Sequence, residues 1–138
     1  AATPDWQQLE QMMQLNFYAP LQFSELLLPA MLQRGQGCII NVLSTVCQFA
    51  NPGIAAYTAS KAALDAYSKV LRKELQGTGV KMLSVYPGGT DTDFRSSSKP
   101  QYLQADDVAS AVIGMLKSSS NAHIHELVIR PAAETNFS

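Results

Sequence analysis

Two hydrophobic periods alternate along this chain. From residue 4 to residue 33 the pattern is helical: Leu9, Met12, Met13 and Phe17 share a stripe, with Asn16 beside it. Pro4 suits a first turn, and Asp5 suits the positive end of the helix dipole. Pro20 lacks an N–H and should kink or interrupt the helix. The pattern resumes from Leu21 to Arg34 and stops at Gly35, a natural C-terminal stop. Cys38 to Leu43 is a short, mostly apolar run, which predicts a strand buried on both faces. Residues 44–54 predict a loop around the turn Asn51-Pro52-Gly53. Ala55 to Gln76 predicts a long helix closed by Gly77 and Gly79, its first half rich in small residues that permit close packing. Val80 to Tyr86 predicts a second strand, broken by Pro87-Gly88-Gly89. A polar loop follows at 90–104. A third helix is expected over Ala105–Lys117, with Asp106 and Asp107 at its start, and a third strand over Ile124–Arg130. Residues 131–138 carry no pattern.

This alternation predicts an α/β fold: a parallel sheet of about three strands flanked by three to four helices. Composition narrows the reading. With 138 residues, 46% of them hydrophobic, the chain is long enough for one core and too apolar for disorder. A net charge of −1 offers nucleic acid no electrostatic footprint. No apolar stretch is long enough to cross a membrane. Charged residues make up 15%, against roughly 25% in an average domain, so more surface should be hidden than a lone monomer can hide. Cys38 and Cys47 form no CxxC pair and read as two reduced thiols, one on a buried strand and one in a loop. No signal peptide is visible, which favours a cytoplasmic setting, and the start at Ala1 reads as a processed or trimmed piece.

The chemistry centres on Tyr57 and Lys61. Their i, i+4 spacing puts both on one helical face. An ammonium one turn from a phenol favours the phenolate, and such a tyrosine can exchange a proton near neutral pH. Ser44 directly follows the first predicted strand, and the carboxyl ends of parallel strands face the usual ligand crevice. Asn16 lies just ahead of the Pro20 interruption, where a disrupted helix offers backbone groups and room for water. Pro87-Gly88-Gly89-Thr90-Asp91-Thr92 follows the second strand at the same end. Other candidates are weaker. His123 and His125 would share one face of a strand, but they lack a third ligand and read as solvated, so no metal is expected. Asp91 and Asp93 read as loop carboxylates, Ser96-Ser97-Ser98 as part of a flexible lid, and Phe49 and Phe94 as residues that shape a substrate pocket.

Taken together, these pieces resemble the C-terminal part of a short-chain dehydrogenase/reductase, from about Asp5 to Arg130. The matching features are Asn16 in Leu15-Asn16-Phe17, Ser44 after Asn41-Val42-Leu43, the Tyr57/Lys61 pair, and Pro87-Gly88 with Thr92. The gaps of 28 positions from Asn16 to Ser44 and 13 from Ser44 to Tyr57 match the family layout. The resemblance implies a Rossmann-like sheet and an oxidoreductase that moves a hydride between NADP or NAD and a small carbonyl or secondary alcohol. Tyr57 would be the general acid or base. Lys61 would support it and hold the nicotinamide ribose. Ser44 would polarise the substrate oxygen. Asn16 would hold a water that relays protons. Pro87, Gly88, Thr90 and Thr92 would line the nicotinamide. The two long helices would pack in a homodimer or homotetramer.

One departure stands beside the resemblance. The family's Gly-rich pyrophosphate turn, its Asn-Asn-Ala-Gly segment and the residue that separates NAD from NADP have no counterpart in these residues. The expectation is one catalytic half of a two-half fold, residues 1–138, without the phosphate-binding half. Two alternatives accompany it. One is a truncated, non-catalytic folding or assembly unit. The other is a sugar-nucleotide epimerase or dehydratase relative, which the short 90–104 loop disfavours.

Overall fold

A computed structural model describes residues 2–93, 97–119 and 121–135. Asp5 caps the first helix, α1 (Trp6–Met13), by accepting the Gln8 amide at 3.0 Å. The helix therefore starts after Asp5, and Pro4 lies before the cap rather than in the first turn. The expected interruption at Pro20 takes a specific form. The helix widens just ahead of it into a π-helical segment, Gln14–Tyr18, and then continues as α2 (Ala19–Arg34), which also contains Pro29. An α-helix would aim the residue-20 amide at the Asn16 carbonyl. Proline has no such amide, and its ring would clash there. The wider turn accommodates the ring, and the Ala19 amide bonds Gln14 instead. Gly35, at φ 63°, closes α2.

The remaining elements are β1 (Gly37–Val42), a 3-10 turn (Thr45–Cys47), α3 (Ala55–Glu74), β2 (Val80–Pro87), β3 (Thr90–Asp91), β4 (Leu103–Gln104), α4 (Ala105–Leu116) and β5 (Glu126–Ile129). The main sheet runs β1-β2-β5 and every pair is parallel, with Gly37 opposite Val80 and Val85 opposite Leu127. The expected α/β architecture is present. Two details differ. The third strand begins at Glu126, so His123 and His125 precede it. The 90–104 segment is not loop alone, because β3 and β4 form a short parallel pair. Asp91 accepts the Ser98 hydroxyl and the Lys99 amide, both at 2.9 Å, which folds the chain back so that the two strands meet. Asp91, expected in a loop, thus lies on β3 and braces the segment that follows it.

Side-chain alternation sends the strands' residues to two faces. On one face Ile39 and Met82 pack with Leu71 of α3, Leu75 at its C-cap, and Leu28 and Met31 of α2. On the other, Cys38, Ile40, Leu83, Val85 and Leu127 pack around Met115 of α4. Two small residues of α3 are fully buried: Ser68 accepts the Asn41 side-chain amide of β1 at 2.9 Å, and Ser60 faces the π-helical segment. Arg72 ties the layers together, bonding the Met82 carbonyl at 2.9 Å, Ser84 Oγ at 3.1 Å and Glu126 at 2.9 Å. Gln104 and Asp107 form a capping box at α4.

β1 is not the doubly buried strand its composition predicts. Among the described residues it has a strand partner on one side only, residues 37–41 are half-buried, and Val42 is 49% exposed. Cys38 accordingly lies on a half-buried edge, and Cys47 lies in the 3-10 turn; both are free thiols. Burial raises both thiol pKa values.

The bend from α3 into β2 depends on a close approach. Gly79 has φ 79°, and a Cβ added there would run into the Gly35 carbonyl oxygen. Gly79→Ala combines backbone strain with overpacking and is expected to cost about 3 kcal/mol. Urea unfolding measures this; an unchanged midpoint would show that the approach is not tight.

Candidate active site

The candidate residues gather at the carboxyl ends of β1 and β2 and on the first turns of α3. Ser44 follows β1 in extended conformation (φ −166°, ψ 156°), half-buried, and its hydroxyl accepts the Val46 amide at 3.3 Å. The Leu43 amide bonds the Val85 carbonyl at 2.8 Å, so the end of β1 is held against β2 just before Ser44.

Tyr57 and Lys61 lie one turn apart near the start of α3, both half-buried. Lys61 Nζ is 5.9 Å from the Tyr57 ring centroid and donates to the Val42 carbonyl at 3.0 Å. That bond anchors the lysine stem across the top of β1. Burial lowers the Lys61 pKa from its usual 10.5.

Asn16 sits at the centre of the π-helical segment, half-buried, and donates to Ser60 Oγ at 3.1 Å across 44 positions of sequence. Ser60 in turn donates to the Tyr57 carbonyl at 2.8 Å. Asn16 is therefore joined to the Tyr57–Lys61 turn through Ser60.

At the end of β2, Thr90 donates to the Gly88 carbonyl at 3.1 Å, and the Gly88 amide bonds the Ile129 carbonyl at 2.8 Å. Thr92 is exposed. The structure thus brings Asn16, Ser44, Tyr57 and Lys61 to one end of the sheet and places Pro87, Gly88 and Thr90 at the same end. Phe49 is half-buried in the loop after Ser44. Phe94 and Ser96 lie outside the described residues. His123 and His125 are exposed, with ring centroids 5.8 Å apart. Among the described residues no group of three His, Cys, Asp or Glu side chains converges on a metal position.

Sequence reasoning passed over a buried pair beneath this site. Asp65 is 7% exposed; it accepts the Tyr86 hydroxyl at 2.7 Å and pairs with Lys69 at 2.8 Å. The signal was present: Tyr57, Lys61, Asp65 and Lys69 follow one another at four-residue steps along one face. Tyr86 immediately precedes Pro87-Gly88, so the bond joins the Tyr57 helix to the strand that carries the glycine turn. Burial and the adjacent Asp65 carboxylate push the Tyr86 phenol well above its ordinary range. Tyr86→Phe should cost about 1–3 kcal/mol at neutral pH, because it leaves Asp65 buried with one partner fewer. The pH dependence follows from linkage. The unfolded tyrosine ionises near pH 10 and the folded one only above it, so this stabilisation is complete below pH 10 and is lost as pH rises further. Chemical unfolding at pH 7 and pH 11 checks both. A parallel decline in wild type and variant over that range would remove Tyr86 as the cause.

Comparison with known proteins now bears on this arrangement. The family model for short chain dehydrogenases matches residues 2–103. The chain belongs to the short-chain dehydrogenase family. An uncharacterized oxidoreductase of Staphylococcus epidermidis is 35% identical over 131 residues, covering 91% of this chain and 56% of that protein. A short chain dehydrogenase of Burkholderia cenocepacia, solved in complex with NADP, is 30% identical with a TM-score of 0.77, over 87% of this chain and 50% of that one. An alcohol dehydrogenase of Thermococcus sibiricus, solved with 5-hydroxy-NADP, shares the fold at a TM-score of 0.88 and 23% identity, over 99% of this chain and 59% of that one. The chain spans about half the length of the curated relatives it matches. Among the described residues, no helix is long and apolar enough to cross a membrane.

Proposed function

We propose that this chain is the catalytic half of an NAD(P)-dependent oxidoreductase acting on a small carbonyl or secondary alcohol, with Tyr57 as the general acid or base. The observation that carries the reading is the Tyr57–Lys61 face of α3, set at the carboxyl ends of two parallel strands and joined to Asn16 through Ser60.

The donors present fit the nicotinamide end of such a cofactor. The Lys61 ammonium and the Thr90 and Thr92 hydroxyls match ribose hydroxyls and a carboxamide. Gly88 and Gly89 let the turn beside these donors pack tightly, since a Cβ on the first would meet Glu134 and one on the second the Tyr102 ring. NADP is the favoured form because short-chain dehydrogenases of this fold were solved with it. When bound, the cofactor supplies a hydride to, or takes one from, the substrate carbon.

The chain's own residues manage the oxygen and its proton. Ser44 Oγ donates to the substrate oxygen and polarises it. The Tyr57 hydroxyl gives its proton to that oxygen in reduction and removes it in oxidation. The Lys61 ammonium stabilises negative charge on the tyrosine oxygen as the proton leaves. A relay water on the Asn16 carbonyl, opposite the amide that Pro20 lacks, would carry the proton onward.

The half-fold part of the proposal is supported by the one-sided pairing of β1 and the exposure of Val42, which suit a further parallel strand. Trp6, Leu15, Phe23 and Leu26 on α1, the π-helical segment and α2, and Tyr67 and Val70 on α3, are exposed apolar residues that fit a second subunit of a homodimer or homotetramer. Sedimentation velocity distinguishes these states from a monomer. The cytoplasm is the proposed compartment.

The test is a titration of the complete protein carrying this chain with NADPH and NADH, followed by nicotinamide fluorescence and then by turnover of a panel of ketones and aldehydes. Binding with turnover supports the proposal. Binding of neither cofactor would contradict it and favour an assembly unit. Turnover of sugar nucleotides alone would favour the epimerase class.

A further inference from the structure

At the carboxyl end of β5, Arg130 and Glu134 are charged residues that the proposed mechanism does not use, and both lie beyond residues 2–103, which the family model matches. Arg130 directly follows β5, so it stands at the same end of the sheet as Ser44 and Pro87. Its guanidinium carbon lies 4.7 Å over the Phe49 ring, and its Nε is 3.4 Å from Glu134 Oε2. Both charges are largely shielded, with side-chain exposures of 10% and 23%. The same carboxylate oxygen accepts the Gly89 amide at 3.4 Å. A turn with the Glu134 amide bonded to the Pro131 carbonyl at 3.0 Å folds the glutamate back onto the glycines. A Cβ on Gly88 would run into that carboxylate, and its next neighbour would be the Pro131 ring at 3.2 Å.

The result is a chain of contacts between two loops: Phe49, in the loop that begins at Ser44; Arg130; Glu134; and Gly89, in the turn that ends β2. Phe49 is itself held to the start of its loop, its amide bonding the Thr45 carbonyl at 3.0 Å. One loop carries the residue that would polarise the substrate oxygen, and the other carries the turn that would hold the nicotinamide. Cation–π stacking and a shielded ion pair act together, because the guanidinium has its face on the ring and its Nε within ion-pair distance of the carboxylate.

We propose that Arg130 and Glu134 are positioning residues: they clasp the Gly88–Gly89 turn and fix its separation from the Ser44 loop. The role given to that turn rests on the cofactor reading above; the clasp itself does not. The Gly89 amide is held by Glu134, so Glu134→Ala in the complete protein should speed hydrogen exchange of the Gly89 amide at least tenfold. It should also raise the KM for NADPH about tenfold, with a smaller change in kcat at saturating cofactor. Glu134→Gln, which keeps an acceptor for the Gly89 amide, should restore most of both. Phe49→Leu and Arg130→Met should be non-additive in the NADPH KM, because each breaks the same link.

Unchanged exchange at Gly89 in Glu134→Ala would overturn the clasp. Faster exchange with an unchanged NADPH KM, or a loss of thermal stability alone, would overturn the positioning role and leave a merely structural turn. If the wild type binds neither NADPH nor NADH, the cofactor reading falls, and the exchange measurement still decides whether the clasp exists.

Discussion

Tyr57→Phe in the complete protein should lower kcat by about 10²–10⁴-fold while leaving NADPH affinity within about threefold. The substitution removes only the hydroxyl oxygen and its proton. The ring stays half-buried in place, and Lys61 keeps its bond to the Val42 carbonyl. Substrate and cofactor can therefore still bind, but the group that exchanges a proton with the substrate oxygen is gone. Ser44 remains able to polarise that oxygen, which leaves residual activity. Steady-state kinetics at saturating NADPH, with fluorescence titration of the cofactor, separates the two effects. An unchanged kcat would remove Tyr57 from the chemistry. A loss confined to cofactor binding would make it a ribose contact and nothing more.

Lys61→Met is expected to reduce kcat/KM by about 10²–10³-fold, the scale of deleting one charged donor from a reacting site. Methionine keeps most of the stem's volume, so packing against β1 is largely preserved. Stability should behave differently from activity. Burial holds the Lys61 pKa below 10.5, so the folded state binds this proton more weakly than the unfolded chain does. The sign follows. Between the lowered folded pKa and the unfolded value near 10.4, the unfolded state carries more protons, and stability rises with pH across that window. At pH 7 the folded protein bears the cost of a desolvated charge. Its removal offsets the lost hydrogen bond to Val42, so the net change in stability should stay within about 1 kcal/mol. Lys61→Met should also lose the rise in stability towards alkaline pH. Urea titrations at pH 7 and pH 10 test this, and a variant that unfolds outright would show that Lys61 is chiefly structural.

Much of the fold was legible because it depends on local chemistry. Gly35 ends α2, Asp5 begins α1, and the alternation of Ile39, Met82 and Leu83 between faces follows from strand geometry alone. Tyr57 and Lys61 could be paired by spacing, since i and i+4 meet on any helix. What escaped depends on contacts distant in sequence. β1 reads as doubly buried because Cys38, Ile39 and Ile40 are apolar on both faces, yet burial requires neighbours, and β2 provides only one. The response to Pro20 could be expected, but not its π-helical form. The Asp65–Tyr86 bond spans 21 positions and the Glu134–Gly89 bond 45. An aspartate in an alanine-rich helix reads locally as a solvated residue until a strand brings a phenol to it. Arg130 reads only as the last residue of a strand and Glu134 as part of a patternless tail, because their partners, Phe49 and Gly89, come from other loops.

The proposal that this chain supplies the proton-handling half of a nicotinamide-dependent reduction is decided by incubating the complete protein with NADPH carrying deuterium at both C4 positions and a turned-over ketone, then locating the deuterium by mass spectrometry and NMR. The expected product carries one deuterium on the carbinol carbon and an oxygen-bound hydrogen from solvent, and Tyr57→Phe should form almost none of it. Labelled alcohol formed at the wild-type rate by Tyr57→Phe, or product free of carbon-bound deuterium, would contradict the proposal.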